Sequence, residues 1–218
     1  MKKAALLVVL LLPPSIVARA QVPQAEYAAR RDSLAAHMGS GVLVAFGART
    51  PVTDFGPPTQ LPAFHYLTGF DEPDAAFVMV VRNGAATPVL YTTPIDPRVA
   101  MYYGRRPDST AIRREFGLAA RPFASLRADL DSLAAGGPDF YTLADFEDAD
   151  FAYADSLTRG RLFMRAFQAA HSGLTVKNAH PLVNQLRARK TAAELVLLRK
   201  AAEASVEGHK AAMRLAAP

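Results

Sequence analysis

The sequence predicts an α/β fold in which a mixed β-sheet is flanked by helices. Residues 75–81 form a continuous apolar run rich in Val and Phe, which is typical of a central strand covered on both faces. Arg-Asn-Gly at 82–84 is a strong turn signal, and the alternating segment 87–92 after it predicts the returning strand of a hairpin. Helical and strand patterns alternate along the remaining chain, as they do in layered α/β domains.

The first twenty residues have the pattern of a secretory signal peptide. Lys2 and Lys3 precede an apolar run at 4–12, and Ala-Arg-Ala at 18–20 offers small residues at the two positions that a signal peptidase reads. The run is too short to span a bilayer. We therefore expect cleavage after Ala20 and a periplasmic or secreted protein, the alternative being a buried N-terminal helix.

Composition excludes several classes of site. The chain has no Cys, which rules out disulfides, cysteine nucleophiles and a lipid-modified cysteine anchor. Loss of Lys2, Lys3 and Arg19 with the signal lowers the formal net charge from +5 to +2. So small a charge favours neither nucleic acid nor a membrane surface as partner.

The elements before the central strand follow from periodicity and turn residues. Residues 24–38 predict a helix whose apolar face carries Tyr27, Leu34 and Met38, with Arg30, Arg31 and Asp32 elsewhere. Residues 42–46 predict a buried strand, and residues 48–62 form a Pro- and Gly-rich loop of a length that is often functional. The aromatic segment 64–70 ends at a Glu-Pro-Asp corner. Its aromatic side chains suit either a ligand-facing wall or a core layer.

The second half of the chain carries helix-capping and stop signals. Asp96 and Pro97 indicate a helix start, and Gly104 a stop. The further predictions are helices at 109–116, 125–135 and 150–170 and a strand at 138–143.

A long helix is predicted at the end of the sequence. Thr191 and Glu194 have the spacing of a capping box. Apolar residues then recur at helical spacing for about 24 residues, roughly 36 Å. Because this apolar face needs a partner, we expect further polypeptide after Pro218. The apolar residues are Leu195, Leu198, Ala202, Val206 and Met213.

Residues 64–74, Phe-His-Tyr-Leu-Thr-Gly-Phe-Asp-Glu-Pro-Asp, resemble the N-terminal domain of Xaa-Pro aminopeptidases, the proline-specific relatives of prolidase and creatinase. Residues 103–106 and 116–117 are similar to the aromatic-Gly-x-Arg and Phe-Gly segments of the same domains. Residues 187–201 resemble the junction with the catalytic domain. These stretches occur in the family's order and, with Arg30-Arg31 and the 41–46 strand, cover roughly residues 24–218.

The resemblance implies an architecture and an activity. Residues 21–186 would form a creatinase/aminopeptidase P N-terminal domain, and residues 187–218 a linker and the first helix of a missing pita-bread catalytic domain. The complete enzyme would remove the residue preceding proline from peptide N-termini, using two divalent metal ions, usually manganese. Two Asp, one His and two Glu of the missing domain hold those ions. This chain would therefore supply no catalytic or metal-binding residue.

The resemblance also implies the partners. These are peptides with proline at the second position, the missing catalytic domain and a homo-oligomer, since this domain narrows access to the active site and builds oligomer contacts. His65, the only histidine in an informative context, and its neighbour Tyr66 are candidate substrate-binding residues. Arg105 is a third candidate, because a guanidinium grips a carboxylate, and the alternative for it is a structural ion pair. The chain departs from the family at 58–61, where Phe-Arg-Gln-Asp is reduced to Gln60, and at His65, where the family has Tyr.

Other candidate sites are weaker. The acidic cluster at 145–150 lacks the Gly and the final Glu of an EF-hand loop, so a solvated helix start is favoured over a cation site. His171 and His180 have no carboxylates at ligand spacing, which favours surface or capping roles. The alternative function, from a different class, is an exported stand-alone binding module that kept the fold without catalysis.

Overall fold

A computed structural model of the chain describes residues 22–49, 60–143 and 159–216. Within these ranges six strands form a sheet, and helices lie against both of its faces. The strands are β1 (Gly41–Phe46), β2 (Ala76–Arg82), β3 (Ala85–Thr92), β4 (Ala119–Pro122), β5 (Phe140–Thr142) and β6 (Val176–Asn178). The helices are α1 (Gln24–Met38), α2 (Pro62–Thr68), α3 (Pro97–Tyr103), α4 (Ser109–Phe116), α5 (Leu126–Ala134), α6 (Arg159–Ala170), α7 (His180–Ala188) and α8 (Ala192–Leu215).

The sheet is mixed, as the sequence predicts. Its strand order is β4-β3-β2-β1-β5-β6, so β1 and β2 lie at the centre. The β1–β2 and β2–β3 pairs are antiparallel, whereas β4, β5 and β6 join by parallel pairing. The β2–β3 hairpin closes through Asn83 and Gly84, both at positive φ (50° and 76°), which is the geometry of a type I′ turn.

Each face of the sheet has its own hydrophobic core, because side chains of a strand alternate between faces. In β1, Leu43 and Ala45 pack on the side of α1, α2, α4 and α7. Val42, Val44 and Phe46 pack on the opposite side, against α5 and α6. The molecule therefore has three layers, and its central strands are buried on both sides, which explains their unbroken apolar sequence.

Helix boundaries follow the predicted signals. The Asp96 side chain accepts from the Arg98 N–H (2.7 Å) with Pro97 at the first helical position, and Gly104 ends α3. The capping box of α8 is complete. Thr191 Oγ1 accepts from the Glu194 N–H, and Glu194 Oε2 accepts from the Thr191 N–H.

Four short elements of the structure are not predicted from the sequence. They are α2, where the sequence indicates only an aromatic segment, and β4, β6 and α7. The sequence of β4, Ala-Ala-Arg-Pro, has no β-forming side chains, and its Pro is tolerated because β4 is an edge strand. A 3₁₀ turn at Phe123–Ser125 delays the start of α5 by one residue.

Some predicted features lie outside the described residues. These are the signal peptide at 1–20, most of the loop at 48–62 and the acidic cluster at 145–150. For the predicted helix at 150–170, the described part is α6, which begins at Arg159. None of the helices described is both long enough and apolar enough to cross a bilayer.

Candidate functional site

The aromatic segment that carries the strongest motif forms α2, a helix of seven residues packed on the core between α1 and α7. Pro62 at its start needs no hydrogen-bond partner for its nitrogen, and Gly69 ends it at a positive φ of 67°. Phe64 and Leu67 are fully buried. This helix presents successive side chains, His65 and Tyr66, to different surroundings.

Tyr66 is buried beneath a charged side chain. The Arg30 guanidinium lies 4.2 Å from the centre of the Tyr66 ring and 4.9 Å from that of Tyr27. Such contacts are cation–π interactions, which are strongest where water is excluded. Burial is the main cause that raises the pKa of Tyr66, although the Arg30 charge opposes the shift. Tyr66 therefore supports Arg30 rather than facing open solvent.

The two arginines of α1 correct the sequence interpretation, which placed them away from the buried face. Arg30 is 6% exposed and Arg31 is 4% exposed. Arg30 Nη1 donates to the Tyr66 carbonyl (3.1 Å), and Arg31 Nη1 donates to the Leu67 carbonyl (2.9 Å). The last carbonyls of a helix lack intrahelical partners and attract cations. The arginines are buried because they supply the end of α2 with donors.

His65 lies at the surface beside this cluster. Its side chain is 41% exposed, and its Nε2 is 3.1 Å from Asp71 Oδ1. Its ring meets the Tyr27 ring edge to face, with centres 6.0 Å apart. His65 is thus held in place on one side and open to solvent on the other.

Gln60, the one residue kept from the family's Phe-Arg-Gln-Asp motif, has a structural position. Its Oε1 accepts from the N–H groups of Ala48 (2.7 Å) and Leu61 (2.9 Å). Its Nε2 donates to the Glu72 carbonyl (3.1 Å). One amide therefore joins the end of β1, the start of α2 and the corner that precedes β2.

Arg105 lines a separate open groove with a volume of about 580 Å³. The groove lies where β3, β4 and the segments around α3 meet, and Phe70 and several prolines form part of its wall. The neighbouring Arg106 contacts Asp74 (3.3 Å) and the Thr93 carbonyl (3.1 Å). Arg105 is exposed and makes no hydrogen bond or ion pair within the described residues.

The three predicted binding residues are only partly brought together. His65 and Tyr66 share α2, while the lining of the Arg105 groove includes neither of them. The Gly69–Asp74 corner connects the two places, since Asp71 contacts His65 and Glu72 approaches Arg106 (3.8 Å). No group of three or more His, Asp or Glu suited to a metal ion occurs among the described residues.

His171 has the capping role that the sequence favours. Its Nδ1 donates to the Phe167 carbonyl (2.9 Å) at the end of α6, and its Nε2 lies 3.3 Å from Asp131 of α5. These bonds join two helices on the same face of the sheet. Sequence reasoning named Arg30 but missed its burial, and the available signal for it was its place in the Arg-Arg pair of the family resemblance.

Comparison with known proteins gives a consistent result. Residues 27–141 match the family described as aminopeptidase P, N-terminal domain. The Xaa-Pro aminopeptidase of Escherichia coli (strain K12) is 26% identical over 207 residues, which is 91% of this chain and 46% of the relative.

Solved structures agree in fold and in coverage. Proline aminopeptidase P II from Yersinia pestis matches with a TM-score of 0.66 and 27% identity, over 88% of this chain and 45% of its own. Aminopeptidase P from E. coli with the inhibitor Pro-Leu matches with a TM-score of 0.67 and 25% identity, over 87% of this chain and 44% of its own. The chain thus spans about half the length of these relatives.

Proposed function

Because the chain belongs to the aminopeptidase P N-terminal domain family, we propose that it is the N-terminal portion of an exported Xaa-Pro aminopeptidase. Such an enzyme removes the residue that precedes proline from a peptide N-terminus. The observation that carries the proposal is the match to Xaa-Pro aminopeptidases along nine-tenths of this chain and less than half of theirs. On this proposal, residues 21–186 are the N-terminal domain, residues 187–218 lead into a catalytic domain, and residues 1–20 direct export.

Within that enzyme, we assign this domain to substrate access and to contacts in a homo-oligomer. His65 and Arg105 are the substrate-facing residues, since the His65 ring is held beside Asp71 with one side open to solvent and the exposed Arg105 side chain lines the groove. Tyr66 acts through the shape of α2, because its ring is buried against Arg30. The substrates are peptides with proline at the second position.

The metal ions that the family implies do not fit the residues described here. Two divalent ions, manganese on the family's pattern, need a cluster of carboxylate and imidazole ligands. The described ranges hold no such cluster, so we derive no catalytic step from this chain. The proposal assigns the metal ligands to the sequence that follows Pro218.

The coding sequence after Pro218 tests the proposal directly. We expect an in-frame region that carries two Asp, one His and two Glu, and we expect its product to hydrolyse Xaa-Pro peptides with manganese but not matched Xaa-Ala peptides. The chain 1–218 alone should not exceed the metal-only blank. A stop codon after Pro218 would instead favour the stand-alone binding module, and turnover by residues 1–218 would contradict the assignment of the ligands.

The role of Arg105 is testable in the same full-length protein. An arginine that binds a peptide carboxylate contributes about 1.5–3 kcal/mol, so Arg105→Gln should raise KM by about tenfold or more with little change in kcat. Arg98→Gln is the control, because Arg98 is also exposed but does not line the groove. Equal KM values for the two variants would show that Arg105 does not bind the substrate.

A further inference from the structure

The helix α8 is joined to the rest of the molecule in an unusual way. It has 24 residues, and none of them is buried. Large apolar side chains along it, such as Leu198, Val206 and Met213, are about half or more exposed. Within the described part of the chain, a single ion pair is the only polar side-chain contact between α8 and another helix or strand, namely Arg30 Nη2 to Glu194 Oε1 at 2.8 Å.

The carboxylate of Glu194 takes part in two interactions at once. Its Oε2 accepts from the Thr191 N–H (2.8 Å), which completes the capping box at the start of α8. Its Oε1 faces Arg30. Since the capping box fixes the carboxylate relative to the first turn of the helix, the ion pair fixes that turn relative to α1.

Arg30 itself is held firmly by the domain. It donates to the Tyr66 carbonyl, contacts the rings of Tyr27 and Tyr66, and is buried. A guanidinium in so dry a place keeps its geometry and interacts strongly with a carboxylate. The direction of the Nη2–H group, and hence the place of Glu194, is therefore set by α1 and α2.

We propose that Arg30 is a positioning residue that fixes, through Glu194, the direction in which α8 leaves the sheet domain. From Leu198 onward every described residue of α8 is exposed, so packing against the domain is limited to the first turns of the helix. The ion pair and the short connection from α7 therefore determine the direction. The consequence for an enzyme, alignment of the two domains, rests on the proposed function. The direction of α8 does not rest on the proposed function, and it can be measured without any catalytic activity.

The absence of cysteine makes the measurement straightforward. Spin labels on Thr87→Cys in β3 and Glu203→Cys in α8, both exposed positions, report the distance between the sheet and the helix by pulsed electron resonance. We expect a narrow distance distribution in the parent chain. In Glu194→Gln the distribution should broaden and shift, because Arg30 and the Thr191 N–H use different oxygens of the carboxylate. The amide replaces one of these oxygens by a donor and removes the charge that attracts Arg30.

Three further variants separate positioning from folding. Arg30→Met should broaden the distribution as Glu194→Gln does, and if it fails to fold, Glu194→Gln alone decides. Glu207→Gln, which loses an ion pair to Lys210 within α8, should leave the distribution unchanged. Thr191→Val removes the capping hydroxyl but keeps the ion pair, so it should change the helicity seen by circular dichroism more than the distance.

Two results would overturn the proposal. One is a Glu194→Gln distribution that matches the parent, which would mean that the connection alone directs α8. The other is a Thr191→Val distribution as broad as that of Glu194→Gln, which would mean that fraying of the helix start explains both. Either result leaves the proposed peptidase function untouched.

Discussion

The Gln60 side chain uses both ends of its amide to hold three segments together. Its carbonyl oxygen accepts from Ala48 and Leu61, and its amino group donates to the Glu72 carbonyl. Hydrogen bonds from a half-buried amide contribute modestly when they form, whereas an unpaired or repelling group in the same place is costly. The position therefore requires the amide group of Gln60, and a side chain of the same size without that group would not be sufficient.

We expect Gln60→Glu to destabilise the protein by about 1–3 kcal/mol. The carboxylate cannot donate a hydrogen bond to the backbone carbonyl of Glu72, and its charge repels that carbonyl oxygen. Chemical denaturation of the two proteins at neutral pH measures the difference. Gln185→Glu, the same change at an exposed position of α7, should have little effect. A Gln60→Glu variant as stable as this control would show that the three hydrogen bonds contribute nothing.

Tyr91 makes the stability of the protein depend on pH in the alkaline range. Its hydroxyl donates to Asp129 Oδ2 (2.8 Å). Burial, followed by this hydrogen bond, raises the pKa of Tyr91 far above its ordinary value of 10.0. As the pH rises past 10, the unfolded chain loses this proton before the folded protein does. The contribution of Tyr91 to the free energy of unfolding is therefore complete below pH 10 and decreases above it.

The Tyr91→Phe variant tests that dependence. At neutral pH it should lose about 1 kcal/mol with the hydrogen bond, while its unfolding free energy should fall less steeply than that of the parent above about pH 10. Urea unfolding at a series of pH values gives both quantities. Burial also raises the pKa values of Tyr27 and Tyr66, so part of the slope should remain. Parallel curves for the two proteins would contradict the assignment to Tyr91.

At the residue scale, sequence reasoning identifies residue types more readily than their surroundings. The motif draws attention to His65 and Tyr66, but their difference in exposure depends on α1, which is distant in sequence. Periodicity assigns Arg30 and Arg31 to the polar side of α1 because it treats a charge as exposed. Their burial follows from carbonyl groups at the end of α2, a tertiary contact that periodicity cannot contain.

Among the elements, the junction of α1 and α2 depends on a glycine. Gly69 ends α2 at a φ of 67°, and a Cβ added at this residue would lie 2.8 Å from the Tyr27 ring. Tyr27 is itself buried and contacts Arg30 and His65. The absence of a side chain at Gly69 thus allows the close approach of the two helices.

We expect Gly69→Ala to destabilise the protein by more than its backbone conformation alone explains. An L residue at this φ costs about 1–2 kcal/mol, and displacing a buried aromatic ring should add about 1–3 kcal/mol. Gly137→Ala is a matched control, because Gly137 has the same φ of 67° and an added Cβ there would meet no atom within 4 Å. Thermal or denaturant unfolding of both variants measures the difference, and equal losses would exclude the ring contact as a cause.

Elements with strong local signals can be predicted, and those without cannot. Asn83 and Gly84 predict the β2–β3 hairpin, and Asp96 and Pro97 predict α3, since these residues fix the backbone themselves. β4 and β6 have three or four residues and exist because they pair in parallel with β3 and β5. Their hydrogen-bond partners lie far away in sequence, so no local sequence pattern indicates these two strands.

The whole molecule consists of two parts that differ in how they are stabilised. The three-layer domain has a hydrophobic core on each face of its sheet. In contrast, α8 relies on its own backbone hydrogen bonds, its capping box and the pair with Arg30. The ordered short motifs predict this architecture through their resemblance to a known family. They can do so because each motif marks a turn, cap or close contact that the fold needs at that point.

This contrast predicts a difference in hydrogen exchange between two helices of the same molecule. Most of the stability of a helix in a protein comes from packing of its apolar face, and regions with few buried contacts open without global unfolding. The amides of residues 198–212 in α8 should therefore exchange at least about tenfold faster than those of α1, which buries six residues. Exchange followed by mass spectrometry on the chain 1–218 at low concentration measures both helices at once. Equal protection would mean that the apolar face of α8 is covered in solution, and protection that grows with protein concentration would identify a second copy as the cover.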